Sequence, residues 1–158
     1  VPDKDHAGTP GFTVGSVLEQ IDGYLASYTP DVVLLMIGTN DLAWWHTEGP
    51  QVTAARLGTL LDRIRATAPQ VDVIVASIPT MKGVAPPNNL SRATLVEQYN
   101  AAVENEVRQR ANAGMRVSFA DVHAVVSSSD LYDDVHPNEA AHNRIADVWY
   151  AALQRVLR

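Results

Sequence analysis

The chain has 158 residues, 46% hydrophobic and 19% charged, a balance that fits one folded domain with a sizeable core and excludes a disordered polymer. Twelve basic residues against eighteen acidic ones give a net charge of -6, which argues against the basic face that nucleic-acid binding requires. No apolar run reaches the roughly 18 residues of a membrane span, and the absence of cysteine excludes disulfides, thiolate metal sites and a cysteine nucleophile.

In chain order, Val14, Val17, Leu18, Ile21, Leu25 and Tyr28 recur at helical spacing, with Thr13 placed as N-cap and Pro30 just beyond the end. Val32 to Ile37 is apolar without alternation, the pattern of a strand covered on both faces in a parallel sheet. Leu57, Leu60, Leu61, Ile64 and Ala68 mark a second helix, and Val71 to Ile78 a second buried strand. A loop is expected from Pro79 to about Asn89, where Gly83, Pro86 and Pro87 break regular structure. Val96, Tyr99, Val103 and Val107 share a face of a third helix that Gly114 is placed to cap. Arg116 to Ala120 reads as a third strand, Ser127 to Asp130 as a polar loop, and a last helix starts near Asn138 with Ile145, Val148, Trp149, Ala152, Leu153 and Val156 on one face. Strands alternating with helices predict an α/β fold: a three-layer α/β/α sandwich around a parallel sheet, formed by residues 1–158 as a single domain.

Ligands of such sheets bind beyond the carboxyl ends of the strands. Gly38-Thr39-Asn40-Asp41 and the loop reaching His136 should both lie there. In Asp133-Asp134-Val135-His136-Pro137, a carboxylate three residues before a histidine can accept the Nδ1 proton, which leaves Nε2 as a base. The same residues also fit a solvated loop beside a helix start. Asn40 can aim an amide N–H at an anion, or Asn40 and Asp41 can cap the next helix. His6-Ala7-Gly8-Thr9-Pro10-Gly11-Phe12-Thr13 places two glycines before a helix, either as an anion-binding N-terminus or as a surface turn.

Together, in this order and spacing, the three segments resemble the blocks of the SGNH, or GDSL-type, ester hydrolase family. The run Asp31–Leu42, with D-x-V-x-L-x-I-G-T-N-D-L, is the most specific, and His6-x-Gly8-x-x-Gly11-x-Thr13 has the form found in carbohydrate esterase family 3. The resemblance covers essentially the whole chain. It implies His136 as catalytic base, Asp133 as its orienting acid, and Asn40 and Gly11 as oxyanion donors, with Gly8 as the alternative to Gly11. It also implies serine-dependent ester hydrolysis through an acyl-enzyme, removal of acetyl groups from xylan-type polysaccharides, secretion, a small-molecule or polysaccharide ester as substrate, and no cofactor. No nucleic-acid or membrane partner is expected.

One block is absent. No Gly-Asp-Ser occurs in the 158 residues, so the family's nucleophilic serine is expected outside the chain given, together with N-terminal strands. Ser16, Ser77, Ser91 and Ser127 to Ser129 lie at positions that do not suit a nucleophile on a sharp strand-to-helix turn. Without the first strand, Val32–Ile37 should present an unpaired sheet edge. Two further readings follow: a non-catalytic relative that binds carbohydrate, or a fragment completed by another chain or segment that supplies the missing strands. Trp44 and Trp45 fit core packing or a sugar-stacking wall. No metal site is expected, because His46, His123 and His142 lack paired ligand spacing and Asp130, Asp133 and Asp134 lack that of a calcium loop.

Overall fold

A computed structural model describes residues 6–43, 48–85 and 89–157. Helix α1 (Val14–Tyr28) begins at Thr13, whose hydroxyl accepts the Ser16 N–H while the Ser16 side chain accepts the Thr13 N–H, a reciprocal cap. Strand β1 (Val32–Leu35) leads into a short helix α2 (Thr39–Ala43), then α3 (Pro50–Thr67) and strand β2 (Asp72–Ala76). The expected Pro79 loop holds two-residue strands β3 (Val84–Ala85) and β4 (Leu90–Ser91) before α4 (Arg92–Asn112). Strand β5 (Val117–Ala120), two 3-10 turns (His123–Val125 and Ser128–Asp130) and α5 (Glu139–Val156), capped by Asn138, complete the chain. Trp44, Trp45, His46, Pro86 and Pro87 lie outside the described residues.

The main sheet is parallel with order β1-β2-β5; Leu35 pairs with Val75, and Val75 with Phe119. Strand periodicity divides the core in two. Val33, Leu35, Val73, Val75, Val117 and Phe119 face one layer, built with α1, α3 and α4. Val32, Ile74, Ala76 and Ala120 face the other, built with α5. This is the three-layer arrangement expected from the alternation of strands and helices. The chain's central strand, β2, is covered on both faces, as an unalternating apolar strand requires.

Among the described residues β1 lies at the edge of the sheet, as expected of Val32–Ile37 without a preceding strand, and it is therefore not covered on both faces: Leu34 and Met36 are 44% and 40% exposed. The strand also stops at Leu35 rather than Ile37, because the chain turns at Gly38 and the Ile37 carbonyl accepts the buried Tyr99 hydroxyl at 2.8 Å. Gly38 has φ +120, and a Cβ there would fall 2.5 Å from the Tyr99 ring. Only glycine permits that backbone against that ring.

Candidate active site

A groove of about 820 Å³ runs along the free edge of β1. One wall is the flank of α1 bearing Val17, Ile21 and Tyr24; Ile145 and His142 of α5 lie opposite. At the carboxyl end of β1 the groove reaches Gly11, Asn40 and His136. The structure thus gathers three segments that are far apart in sequence at one end of one groove, where an open parallel sheet binds its ligands.

His136 is held by a narrow loop. The Tyr132 N–H donates to the His136 carbonyl at 3.1 Å, Leu131 bridges Pro137, and the Lys82 N–H donates to the Asp134 carbonyl at 2.8 Å. Within this loop Asp133 turns back on itself. One carboxylate oxygen accepts the N–H groups of Val135 and His136, both at 2.7 Å; the other lies 2.8 Å from His136 Nδ1. The backbone donors, led by that of His136, together with the imidazole contact pull the Asp133 carboxyl down to about 2. An ionised Asp133 holds the proton on Nδ1 and leaves Nε2 with a lone pair. The imidazole is otherwise open: 62% of the His136 side chain is exposed, and the Tyr132 ring stacks on it at 5.7 Å and 17°.

The other half of the site joins two loops. Asn40 lies in α2, and its Nδ2 donates to the Phe12 carbonyl at 2.9 Å. An amide nitrogen has two hydrogens, so one remains for another acceptor. Gly11, next to Phe12, takes φ +79 in the turn Thr9–Phe12. The Gly8 N–H donates to His6 Nδ1 at 3.0 Å.

Asp41 caps a helix other than the one proximity in sequence suggests. Its carboxylate, 5% exposed, accepts the Val14 N–H at 3.0 and 3.3 Å and so closes the N-terminus of α1. The first turn of α1 has no acidic residue of its own, and Asp41 supplies the negative charge that this end of a helix favours. Burial raises the Asp41 pKa, while the N–H donors of Val14 and of Asp41 itself act the opposite way. The Asn40 and Asp41 bonds together bind the Gly11 loop to the Asn40 loop as one unit.

With this geometry, the sequence decides the family: the GDSL-like Lipase/Acylhydrolase family matches residues 2–144. The chain belongs to that family. It is 29% identical over 171 residues to a multidomain esterase of Ruminococcus flavefaciens, covering 99% of this chain and 21% of that protein. It is 31% identical to a family 3 carbohydrate esterase of Clostridium thermocellum, with a TM-score of 0.81, covering 99% of this chain and 73% of that one. A crystal structure of an acetyl esterase mutant with an acetate ion is 28% identical at a TM-score of 0.84, covering 98% and 72%. The chain therefore spans about a fifth of the curated relative and under three-quarters of the two solved ones.

Five serines of this GDSL-like chain are hydrogen-bonded elsewhere. Ser16 pairs with Thr13 and Ser127 with Ser129 and Asp130. Ser77, 1% exposed, donates to Asp121, and Ser91 accepts the Thr94 N–H. Among the described residues, no hydrogen bond joins a serine to His136. Sequence reasoning passes over Tyr132, and it reads Asp41 as a cap of the following helix rather than of α1. The missing local acid at the start of α1 is the one signal that points to Asp41.

Proposed function

We propose that this chain supplies the base, the orienting acid and the oxyanion donors of a serine esterase that removes acetyl groups from xylan-type carbohydrate esters. The observation that carries this reading is the His136–Asp133 pair, 2.8 Å apart, opening on the groove that also reaches Asn40 and Gly11. The serine belongs to a segment outside residues 1–158, supplied by the rest of a longer polypeptide or by another chain. That segment lies along the free edge of β1, where Leu34 and Met36 await cover, and its carboxyl end meets His136.

In this mechanism His136 Nε2 takes the proton of the serine hydroxyl as its oxygen attacks the acetyl carbonyl. Asp133 stabilises the resulting imidazolium. The Gly11 N–H and the second Asn40 Nδ2 hydrogen receive the developing oxyanion; one such donor is worth about 2.7–4 kcal/mol in the transition state. The imidazolium returns its proton to the departing sugar hydroxyl. Water, activated by the same imidazole, then releases acetate from the acetyl-enzyme.

The carbohydrate and the acetyl group come from the relatives: one solved neighbour is a family 3 carbohydrate esterase and another an acetyl esterase. Polysaccharide of that kind is extracellular, so secretion belongs to the same proposal. Among the described residues no helix is long and apolar enough to cross a membrane. The test is hydrolysis of acetylated xylan and of a small acetate ester by the natural protein and its His136→Ala variant. The reading requires acetate release by the first and its loss in the second. Full activity without His136 refutes the assignment, and binding of xylan without any hydrolysis favours a carbohydrate-binding relative.

A further inference from the structure

The Asp133 carboxylate fixes one vertex of the His136 ring. A hydrogen bond at Nδ1 leaves the imidazole free to rock about that contact, and at 62% side-chain exposure little of residues 1–158 surrounds it. What meets the face of the ring is Tyr132, near-parallel at 17° and offset with 5.7 Å between centroids. Tyr132 is 70% exposed within residues 1–158, so burial against the rest of this chain does not explain its placement. Its backbone N–H, bonded to the His136 carbonyl at 3.1 Å, holds the two residues across the loop. The loop base is pinned by the Leu131–Pro137 bridge and by the Asn138 N–H donated to the Asp130 carbonyl at 2.7 Å.

We propose that Tyr132 is a positioning residue that sets the plane of the His136 imidazole, so that Nε2 stays directed at the incoming serine. The proposal rests on the esterase reading and extends it to a residue that touches neither substrate nor reacting atoms. The physics is an offset aromatic pair, in which the ring face rather than the hydroxyl makes the contact. Phenylalanine should therefore serve as well as tyrosine.

The experiment compares Tyr132→Leu and Tyr132→Phe in the natural protein, with two readouts. The first is NMR of the His136 ring protons, which a stacked aromatic ring displaces upfield. The displacement is expected in wild type and Tyr132→Phe and absent in Tyr132→Leu. The second is hydrolysis of a small acetate ester, where Tyr132→Leu should lower kcat about two- to thirteen-fold, the range of one aromatic pair, with KM unchanged. Tyr132→Phe should restore kcat to wild type. Unchanged ring resonances and unchanged kcat in Tyr132→Leu overturn the proposal, as does a Phe variant as slow as the Leu variant. A wild-type protein that shows the displacement but hydrolyses no ester overturns the esterase reading, and with it any part for Tyr132 in the reaction.

Discussion

Asp41→Ala tests how the Gly11 loop and the Asn40 loop are held together. The substitution removes the acceptor for the Val14 N–H, and Val14 is 0% exposed, so water does not replace it. A buried N–H left without its acceptor costs about 1–3 kcal/mol. For a domain of this size that loss lowers Tm by roughly 2–12 °C. Urea unfolding of the natural protein and the variant measures it directly. The pH dependence has a definite sign. Burial raises the Asp41 pKa above its ordinary 3.8, so the native state binds the proton more tightly than the unfolded chain. Stability contributed by Asp41 therefore grows as pH falls through its raised pKa, and the advantage over Asp41→Ala widens on acidification. A loss below about 0.5 kcal/mol, the size of an ordinary surface change, or an advantage that narrows on acidification, refutes the reasoning.

Asp133 has the opposite sign: with its carboxyl pulled down to about 2, its contribution is complete above 3.8 and is lost as pH falls towards 2, an acid limb that Asp133→Asn should lack in unfolding curves. The same variant should lower kcat of the active enzyme on the order of 10²–10⁴-fold, because Nδ1 loses its carboxylate. Gly38→Ala sets a Cβ against a Tyr99 ring fixed by its bond to the Ile37 carbonyl, and at φ +120; overpacking and backbone strain together cost about 2–6 kcal/mol, measurable by denaturant midpoint. Leu34→Glu should change the stability of the 158-residue chain by no more than about 0.5 kcal/mol, since the side chain is half exposed, yet block activity by placing a charge in the groove along β1.

Much of this fold is legible in the sequence because local patterns agree with it. The apolar spacing from Val14 to Tyr28 and the Thr13 cap define α1 without tertiary information, and Asn138 does the same for α5. The short antiparallel pair around Val84 and Leu90 is not legible, because two-residue strands carry no alternation to detect. Nor is the end of β1: Met36 and Ile37 continue the apolar run, and the turn at Gly38 is enforced by Tyr99, whose hydroxyl bonds the Ile37 carbonyl 62 residues away in sequence. The same holds at the site. The Asp133–His136 contact is local and follows from a three-residue spacing. The partners of Asn40 and Asp41 lie 28 and 27 residues away, so their bonds to Phe12 and Val14 emerge only once α1 packs beside α2.

The central claim is that this chain holds the base and oxyanion donors while the nucleophile lies outside it. Fluorophosphonate labelling of the natural, purified protein, read by intact mass and peptide mapping, tests that most directly. The account predicts one adduct, on a serine outside residues 1–158, and none in the His136→Ala variant. An adduct on a serine within the chain, or no adduct on the folded natural protein, contradicts it.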